Sequence, residues 1–320
     1  MYEREKAVVL KSSASLIPNN VFRVKVDGKV YAGVVHKEEV NIVCPGSPET
    51  EPRLVMARMS SSSNTGITIM QASWVEVRGQ VLLVLATTQG VLMYDWDGSV
   101  LLHSHLLPCP PPDIPFSFTK GITALSTGYI CVGVHTGEIL VMCVGEGVEV
   151  SAVEKVRWHA RPITALAAHG SLLVSGDDGG DISVAQDNNG LTKLYSVDSY
   201  GCAVTCLAAW EGQVLAGYLS GHLRIFNLQN GKIVAEVCAH VQSITGLDVA
   251  QDTGLVLTAS EDTFLRVWQL NLDSSCLPIE HKYSMSEENT ALCGGVFTDH
   301  LGSGYLVTGY DRRELICYVL

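Results

Sequence analysis

The 320-residue chain lacks the features that most quickly assign a protein to a class. No apolar run approaches the ~20 residues a membrane helix needs, so no transmembrane segment is expected. The first twenty residues, MYEREKAVVLKSSASLIPNN, set charges on both sides of a short apolar run, which does not fit a signal peptide. There is no Asn-x-Ser/Thr acceptor, no Gly-rich phosphate loop, no HExxH and no GxSxG. Basic residues are the scarcer charge, 21 Lys+Arg against 33 Asp+Glu, for a net charge of −12. A surface of that sign repels a phosphate backbone, so nucleic acid is not expected as a partner, and a basic protein or peptide is slightly favoured. No long segment repeats its apolar residues with a helical period. Cysteine is not scarce. Ten are present, mostly inside apolar runs such as YICVGV and GCAVTCL. They read as small buried hydrophobes of a reducing compartment, and the expected location is cytoplasmic.

What the chain has is self-similarity. ITAL begins at Ile122 and again at Ile163, VTCL at Val204 and ITGL at Ile244, intervals of 41, 41 and 40 residues. Each is followed by a second apolar run (YICVGV, LLVSG, QVLAGY, LVLTAS), a polar or glycine-containing corner, and a third run. Aligning the small residue of the second run brings Gly33, Ala86, Gly133, Gly176, Gly217, Ala259 and Gly309 into register, which makes seven units. The runs are short, often alternating, and rich in Val, Ile, Leu and Thr, as strands are. LQNGK at Leu228–Lys232 adds an Asn-Gly hairpin turn. Seven short-stranded modules at this period predict an all-β fold, a single seven-bladed propeller of antiparallel four-stranded blades over residues 1–320. The last unit, ending in ELICYVL, has no fourth strand. The strand-like EKAVVLK, Glu5–Lys11, is expected to complete that blade, close the ring and remove an exposed edge. Residues 44–66, 108–115 and 271–289 are expected to be surface loops.

The segment Ala239–Leu270 gathers His240, Thr258, Asp262 and Trp268. Imidazole, hydroxyl and carboxylate together suggest a catalytic relay. That reading needs a nucleophile open to a pocket with an oxyanion site beside it, and a strand threonine next to a tryptophan is badly placed for it. The sequence here resembles the WD-repeat family: Asp262 lies in the corner of TASEDTFLRVWQL, His240 stands 22 residues before it, Thr258 four before it and Trp268 six after it. The resemblance implies a buried hydrogen-bonded quartet that joins strands, and a satisfied network of that kind fixes one geometry. Elsewhere the pattern is broken. The Asp position holds His36, Gln89, Thr136, Gly179, Ser220 and Arg312, so only the sixth unit is expected to build the full network. The fourth keeps His159 alone of the quartet.

Other clusters read as structural. Asp177, Asp178 and Asp181 lack the alternation and the late glutamate of a calcium loop, so a solvated corner is expected. His103 and His105 share a strand face without a third ligand, and zinc needs three or four. Cys202 and Cys206 share a face with no second pair. No metal, cofactor or catalytic residue is expected. PCPPPDIP reads as a stiff loop, and Ser60–Asn64 leaves phosphorylation open.

The resemblance further implies a non-enzymatic scaffold for proteins or peptides. Propellers of this family bind on the face that carries the loops before the first strand and between the second and third. The expected interaction residues are Val35, Thr88, His135, Asp178, Leu219, Glu261 and Asp311 at the corners, with Lys120, Arg161 and Gln242 entering first strands. Homo-oligomers are an admitted partner class. The alternatives are a ubiquitin-ligase substrate receptor, whose Trp-Asp-x-Arg ending is not matched by Trp268-Gln269-Leu270, and a metal-dependent propeller enzyme. The enzyme needs carboxylates near the axis, and the innermost runs ITAL, VTCL and ITGL have none.

Overall fold

A computed structural model describes residues 2–58, 66–108, 117–145, 149–272 and 277–320. Alternating apolar runs become strands, and Gly, Asn and Asp make the corners between them. The chain opens with two short strands, Glu3–Arg4 (β1) and Val8–Val9 (β2). Blade 1 is Val21–Val26 (β3), Lys29–His36 (β4), Glu39–Val43 (β5) and Arg53–Met56 (β6). Blade 2 is Ile69–Val77 (β7), Gln80–Thr87 (β8), Gly90–Asp95 (β9) and Leu101–Leu106 (β10). Blade 3 is Thr119–Ala124 (β11), Tyr129–Val134 (β12), Glu138–Val144 (β13) and Val150–Arg157 (β14). Blade 4 is Ile163–His169 (β15), Leu172–Asp177 (β16), Ile182–Asp187 (β17) and Leu191–Val197 (β18). Blade 5 is Val204–Trp210 (β19), Gln213–Tyr218 (β20), His222–Asn227 (β21) and Ile233–Cys238 (β22). Blade 6 is Ile244–Ala250 (β23), Leu255–Ser260 (β24), Phe264–Leu270 (β25) and Ile279–Ser286 (β26). Blade 7 supplies Leu292–Phe297 (β27), Gly304–Gly309 (β28) and Glu314–Val319 (β29) from its own stretch of chain.

All pairings within blades are antiparallel, and the first strands lie side by side in a closed ring, β3, β7, β11, β15, β19, β23, β27 and back to β3. The seven-bladed propeller of the sequence reading is therefore the observed fold. The fourth strand of blade 7 comes from the other end of the chain: Glu3 and Arg4 pair with Val319 and Tyr318, and Val8 and Val9 pair with Leu315 and Glu314. The closing segment thus starts earlier than Glu5 and is two short strands rather than one over 5–11.

Each blade junction has its own core. Seven clusters of buried apolar side chains fill the seven junctions, because successive strand residues point to opposite neighbours. In β24, Val256 packs toward blade 5 and Leu257 toward blade 7. The small residues that set the sequence register have a cause in this packing. A Cβ on Gly217 would lie 2.9 Å from Ile244 Cγ2, and one on Gly176 2.8 Å from Val204 Cγ1, because the next blade's first strand begins directly against them.

Two loop assignments are corrected. Residues 44–66 contain β6, and 271–289 contain β26. Both are outermost strands: β6 is only four residues long, and the alternation of β26, with Ile279, Tyr283 and Met285 partly buried, lies inside an otherwise polar stretch. The third loop, 108–115, and the Ser60–Asn64 stretch fall mostly or wholly outside the described residues.

Candidate functional site

The loops before each first strand and between each second and third strand emerge on one side of the ring, here the corner face. Its frame is repeated. The residue following the second strand donates its N–H to the carbonyl of the residue preceding the first strand: Thr88 to Thr68, His135 to Phe118, Asp178 to Pro162, Leu219 to Ala203, Glu261 to Ser243 and Tyr310 to Ala291, all at 2.8–3.3 Å. One backbone geometry thereby presents six different side chains. Beneath this frame the first strands of six blades are bulged at the same place, for example between Val204 and Cys206 and between Ile244 and Gly246. The bulge residues Thr205 and Thr245 donate their hydroxyls to Ile244 O and Leu292 O of the next blade, each at 2.6 Å.

Blade 6 builds the expected quartet. His240 Nδ1 lies 3.1 Å from both Asp262 carboxylate oxygens, and its Nε2 is 2.9 Å from Thr258 Oγ1, which accepts from Trp268 Nε1 at 3.0 Å. Asp262 also accepts the N–H groups of Val241 and Phe264. Burial opposes ionisation of Asp262, yet the His240 hydrogen bond, the charge interaction with His240 and the two amides outweigh it and hold the carboxyl at about 2. Burial lowers His240 against the pull of Asp262, and Arg266 beside it adds to the lowering. The favoured state is a neutral imidazole donating to a carboxylate. Every polar atom of the quartet faces another protein atom, and none is presented to a substrate.

Blade 6 is the only blade of the described residues with the full quartet, but blade 4 builds a three-residue version without the tryptophan, whose position holds Ala185. Asp177, two positions before the expected Gly179, takes the carboxylate role at the end of β16. Its Oδ2 lies 3.0 Å from His159 Nδ1, His159 Nε2 is 2.8 Å from Ser175 Oγ, and Oδ1 accepts the N–H groups of Gly179 and Asp181. His159 and Asp177 are buried. Asp177 is therefore no solvated corner acid. Burial works against its charge, but His159 and the two amides lower its pKa. The side chain reaches the same histidine from a different backbone position, which a fixed-spacing search misses.

Nine of the ten expected interaction residues lie on the corner face or at the mouth of the central channel. Arg161, Asp178, Leu219, Gln242 and Asp311 are exposed, and Thr88, Lys120, His135 and Glu261 are half-buried. Val35 is the exception. It holds the equivalent register, but β4 runs on to His36 and the Leu10–Asn20 segment crosses over it, so Val35 is fully buried. Its N–H goes to Asn20 Oδ1 and its carbonyl accepts from Ser15 N and Asn20 Nδ2. In blade 7 the equivalent residue is Tyr310 rather than Asp311. Asp311 follows it in left-handed backbone at φ 57°, and the Tyr310 ring is 53% exposed. The buried asparagines Asn20 and Asn41, which tie down the crossing segment, also escaped the sequence reading. The signal for Asn41 was a lone amide inside the apolar run EVNIV.

The channel is more polar than the four-residue signatures suggested. Lys120, the second residue of β11, lies at the mouth with no side-chain hydrogen-bond or ion-pair partner among the described residues, and burial lowers its pKa against the pulls of Cys206 and Asp178. Further down, Asp248 on β23 accepts Phe297 N–H at 2.8 Å, and burial raises its pKa against the nearby Arg23. The innermost strands thus do hold an acid, beyond the reach of ITGL. Among the described residues no group of three His, Cys, Asp or Glu is placed to hold a metal. His103 and His105 sit on β10, the outermost strand of blade 2, as expected, with Nε2 atoms that are buried and unpartnered. Cys202 precedes β19 rather than sharing a strand face with Cys206. The described cysteines are free thiols; Cys131, Cys206, Cys293 and Cys317 are buried, and Cys238 is exposed. No helix of the described residues is long and apolar enough to cross a membrane.

Comparison with known proteins agrees with this architecture. Among solved structures, a chain of a mitotic checkpoint complex superposes with a TM-score of 0.77 at 14% identity over 99% of this chain and 91% of that one. The structure described as U3-55K gives 0.77 at 13% identity over 100% and 98%. These likenesses concern the fold alone. Sequence relatives are more specific. WD repeat-containing protein 54 of Mus musculus is 31% identical over 332 residues, covering 99% of this chain and 98% of that protein. The protein of the same name from Homo sapiens is 30% identical over 331 residues, covering 98% of each. The family model described as WDR54 matches residues 1–319, and the chain belongs to the WDR54 family of WD-repeat propellers.

Proposed function

We propose that this propeller is a non-enzymatic adaptor of cytoplasmic signalling complexes that holds segments of partner proteins on its corner face. WD-repeat propellers generally serve as protein-interaction scaffolds, and one observation supports this face here. A single hydrogen-bonded frame repeats in six blades while the side chain it presents changes from Thr88 to His135, Asp178, Leu219, Glu261 and Tyr310. A rigid scaffold with variable chemistry at its loop tips is what recognition needs. The free thiols support a reducing compartment, and the net charge of −12 favours a basic partner. Tyr310 and Arg161 are the side-chain types that most often anchor such contacts. Proximity labelling in cells, followed by pull-down with a Glu261→Lys/Arg161→Glu variant, tests the reading. Loss of partners is expected, and retention of every partner would refute it.

Self-association is the second reading, and β10 favours it. Every other blade has at least one Lys, Arg, Asp or Glu in its outermost strand, whereas β10 reads LLHSHL and exposes Leu101 at 39%, Leu102 at 39% and Leu106 at 51%. An uncharged apolar edge is a template for pairing. Sedimentation of a Leu102→Lys/Leu106→Lys variant tests it, since an oligomer held at this edge dissociates.

A further inference from the structure

On the side of the ring opposite the corner face, a cavity of about 220 Å³ opens between blades 1 and 2. Its walls are apolar and aromatic: Tyr31, Ile42, Val43 and Trp96, with the half-buried thiol of Cys44 beside them. The two rings lie 5.1 Å apart, tilted by 59°. Charged residues are confined to the rim. Lys11 pairs with Glu51 at 2.7 Å, and Arg53 pairs with Asp97.

The cavity is built rather than incidental. Trp96 sits in the blade 2 turn that follows β9, and that turn is pinned from several sides. Trp74 Nε1 donates to Trp96 O at 2.7 Å. Asp95 accepts Val100 N and Ser99 Oγ, and Asp97 accepts Ser99 N. Gly98 packs directly on Val55 of β6, where no side chain would fit. The backbone that carries Trp96 is therefore held before anything binds, and its ring packs on Tyr31, which removes part of the ordering cost of association.

We infer that this cavity accepts one aromatic or large aliphatic side chain of a partner peptide, next to a basic residue of the same peptide. The size and lining suit a single ring, and a desolvated apolar pocket inside a charged rim is the usual form of a binding hot spot. The basic neighbour follows from charge. The rim itself is balanced, Glu51 and Asp97 against Lys11 and Arg53, so the preference for a cation comes from the −12 of the whole chain. Both rim pairs are solvent-facing, and pairs of that kind are weak enough for an incoming cation to exchange. This site is separate from the corner face, so a failed pull-down there leaves it untouched.

Disulfide exchange at Cys44 tests it. The full-length protein is equilibrated with phenethyl and hydroxyethyl disulfides under reducing competition, and capture at Cys44 is read by mass spectrometry of its peptide. Phenethyl capture is expected to exceed hydroxyethyl capture at least ~10-fold, the ratio that burying a ring gives at ordinary apolar transfer energies. Thr50, an exposed residue of the rim, offers a variant that spares the core: Thr50→Trp fills the cavity from outside and should abolish the preference. Acetyl-Phe-Arg-amide should displace the phenethyl fragment at lower concentration than acetyl-Phe-Glu-amide. Equal capture of both fragments, a preference that survives in Thr50→Trp, or equal displacement by the two dipeptides would overturn the assignment. So would a wild-type oligomer in sedimentation that Thr50→Trp splits, because the occupant would then be a second copy of this chain.

Discussion

Replacing Asp262 with asparagine isolates the charge at the centre of the blade 6 quartet. Asp262 ionises at about 2 rather than 3.8. That preference for the charged form is worth about 2 kcal/mol at ~1.4 kcal/mol per tenfold change. The amide also loses one acceptor position, so part of the donor set of His240, Val241 and Phe264 goes unpaired. Val241 is exposed and can turn to water, but the His240 side chain is fully buried, and an orphaned buried donor costs about 1 kcal/mol or more. The expected total is about 3 kcal/mol at neutral pH. With an unfolding entropy of ~0.7 kcal/mol/K for a chain this long, the melting midpoint should fall by about 4 °C. The sign of the pH dependence follows from the direction of the shift. A depressed folded pKa stabilises above the unfolded value and loses that contribution as pH falls toward the folded value. The gap between wild type and Asp262→Asn should therefore shrink between about pH 4 and 2. Calorimetry under reducing conditions reads both quantities, with exposed Asp311→Asn as a control expected to change little. A cost under about 1 kcal/mol at pH 7, or a gap that does not narrow on acidification, would refute the reasoning.

Further expectations concern other parts of the ring. Asp177→Asn should be destabilising to a degree similar to Asp262→Asn, and the double variant should be additive because the blade 4 triad and the blade 6 quartet share no partner; a coupling energy above about 0.5 kcal/mol in the calorimetric cycle would contradict separate networks. Gly217→Val places side-chain atoms where Ile244 already lies and should cost about 2–3 kcal/mol, read as a lowered midpoint. His240, His103 and His105 are all lowered by burial, so wild-type stability should begin to decline as pH falls below ~6.5; His240→Gln should reduce that decline without removing it.

The module count was legible because each blade repeats a chemical necessity, a small residue where the next first strand crosses. The blade 6 quartet was legible because its four side chains keep fixed spacings. Asp177 was not, since a carboxylate two residues away reaches the same histidine and spacing alone cannot report that. Val35 kept its register yet lost its exposure to a crossing segment held by Asn20 and Asn41, a contact between distant parts of the chain that no local pattern encodes. The outer strands β6 and β26 passed as loops because β6 is only four residues long and the alternating run of β26 is embedded in a polar stretch. Asp248 was overlooked because a four-residue signature stops short of it.

The closing strands tie together segments that lie far apart along the chain. Tyr2 donates to Gly302 O across 300 residues of chain. At the usual 5–20 residues per second, roughly 15 to 60 s separate the emergence of the two from the ribosome. Throughout that interval Tyr2 lacks the blade 6 and 7 core it packs into, and blades already made stand as an open arc. Blade 7 therefore cannot close until β28 and β29 exist, and the neighbouring blades keep an open edge until it does.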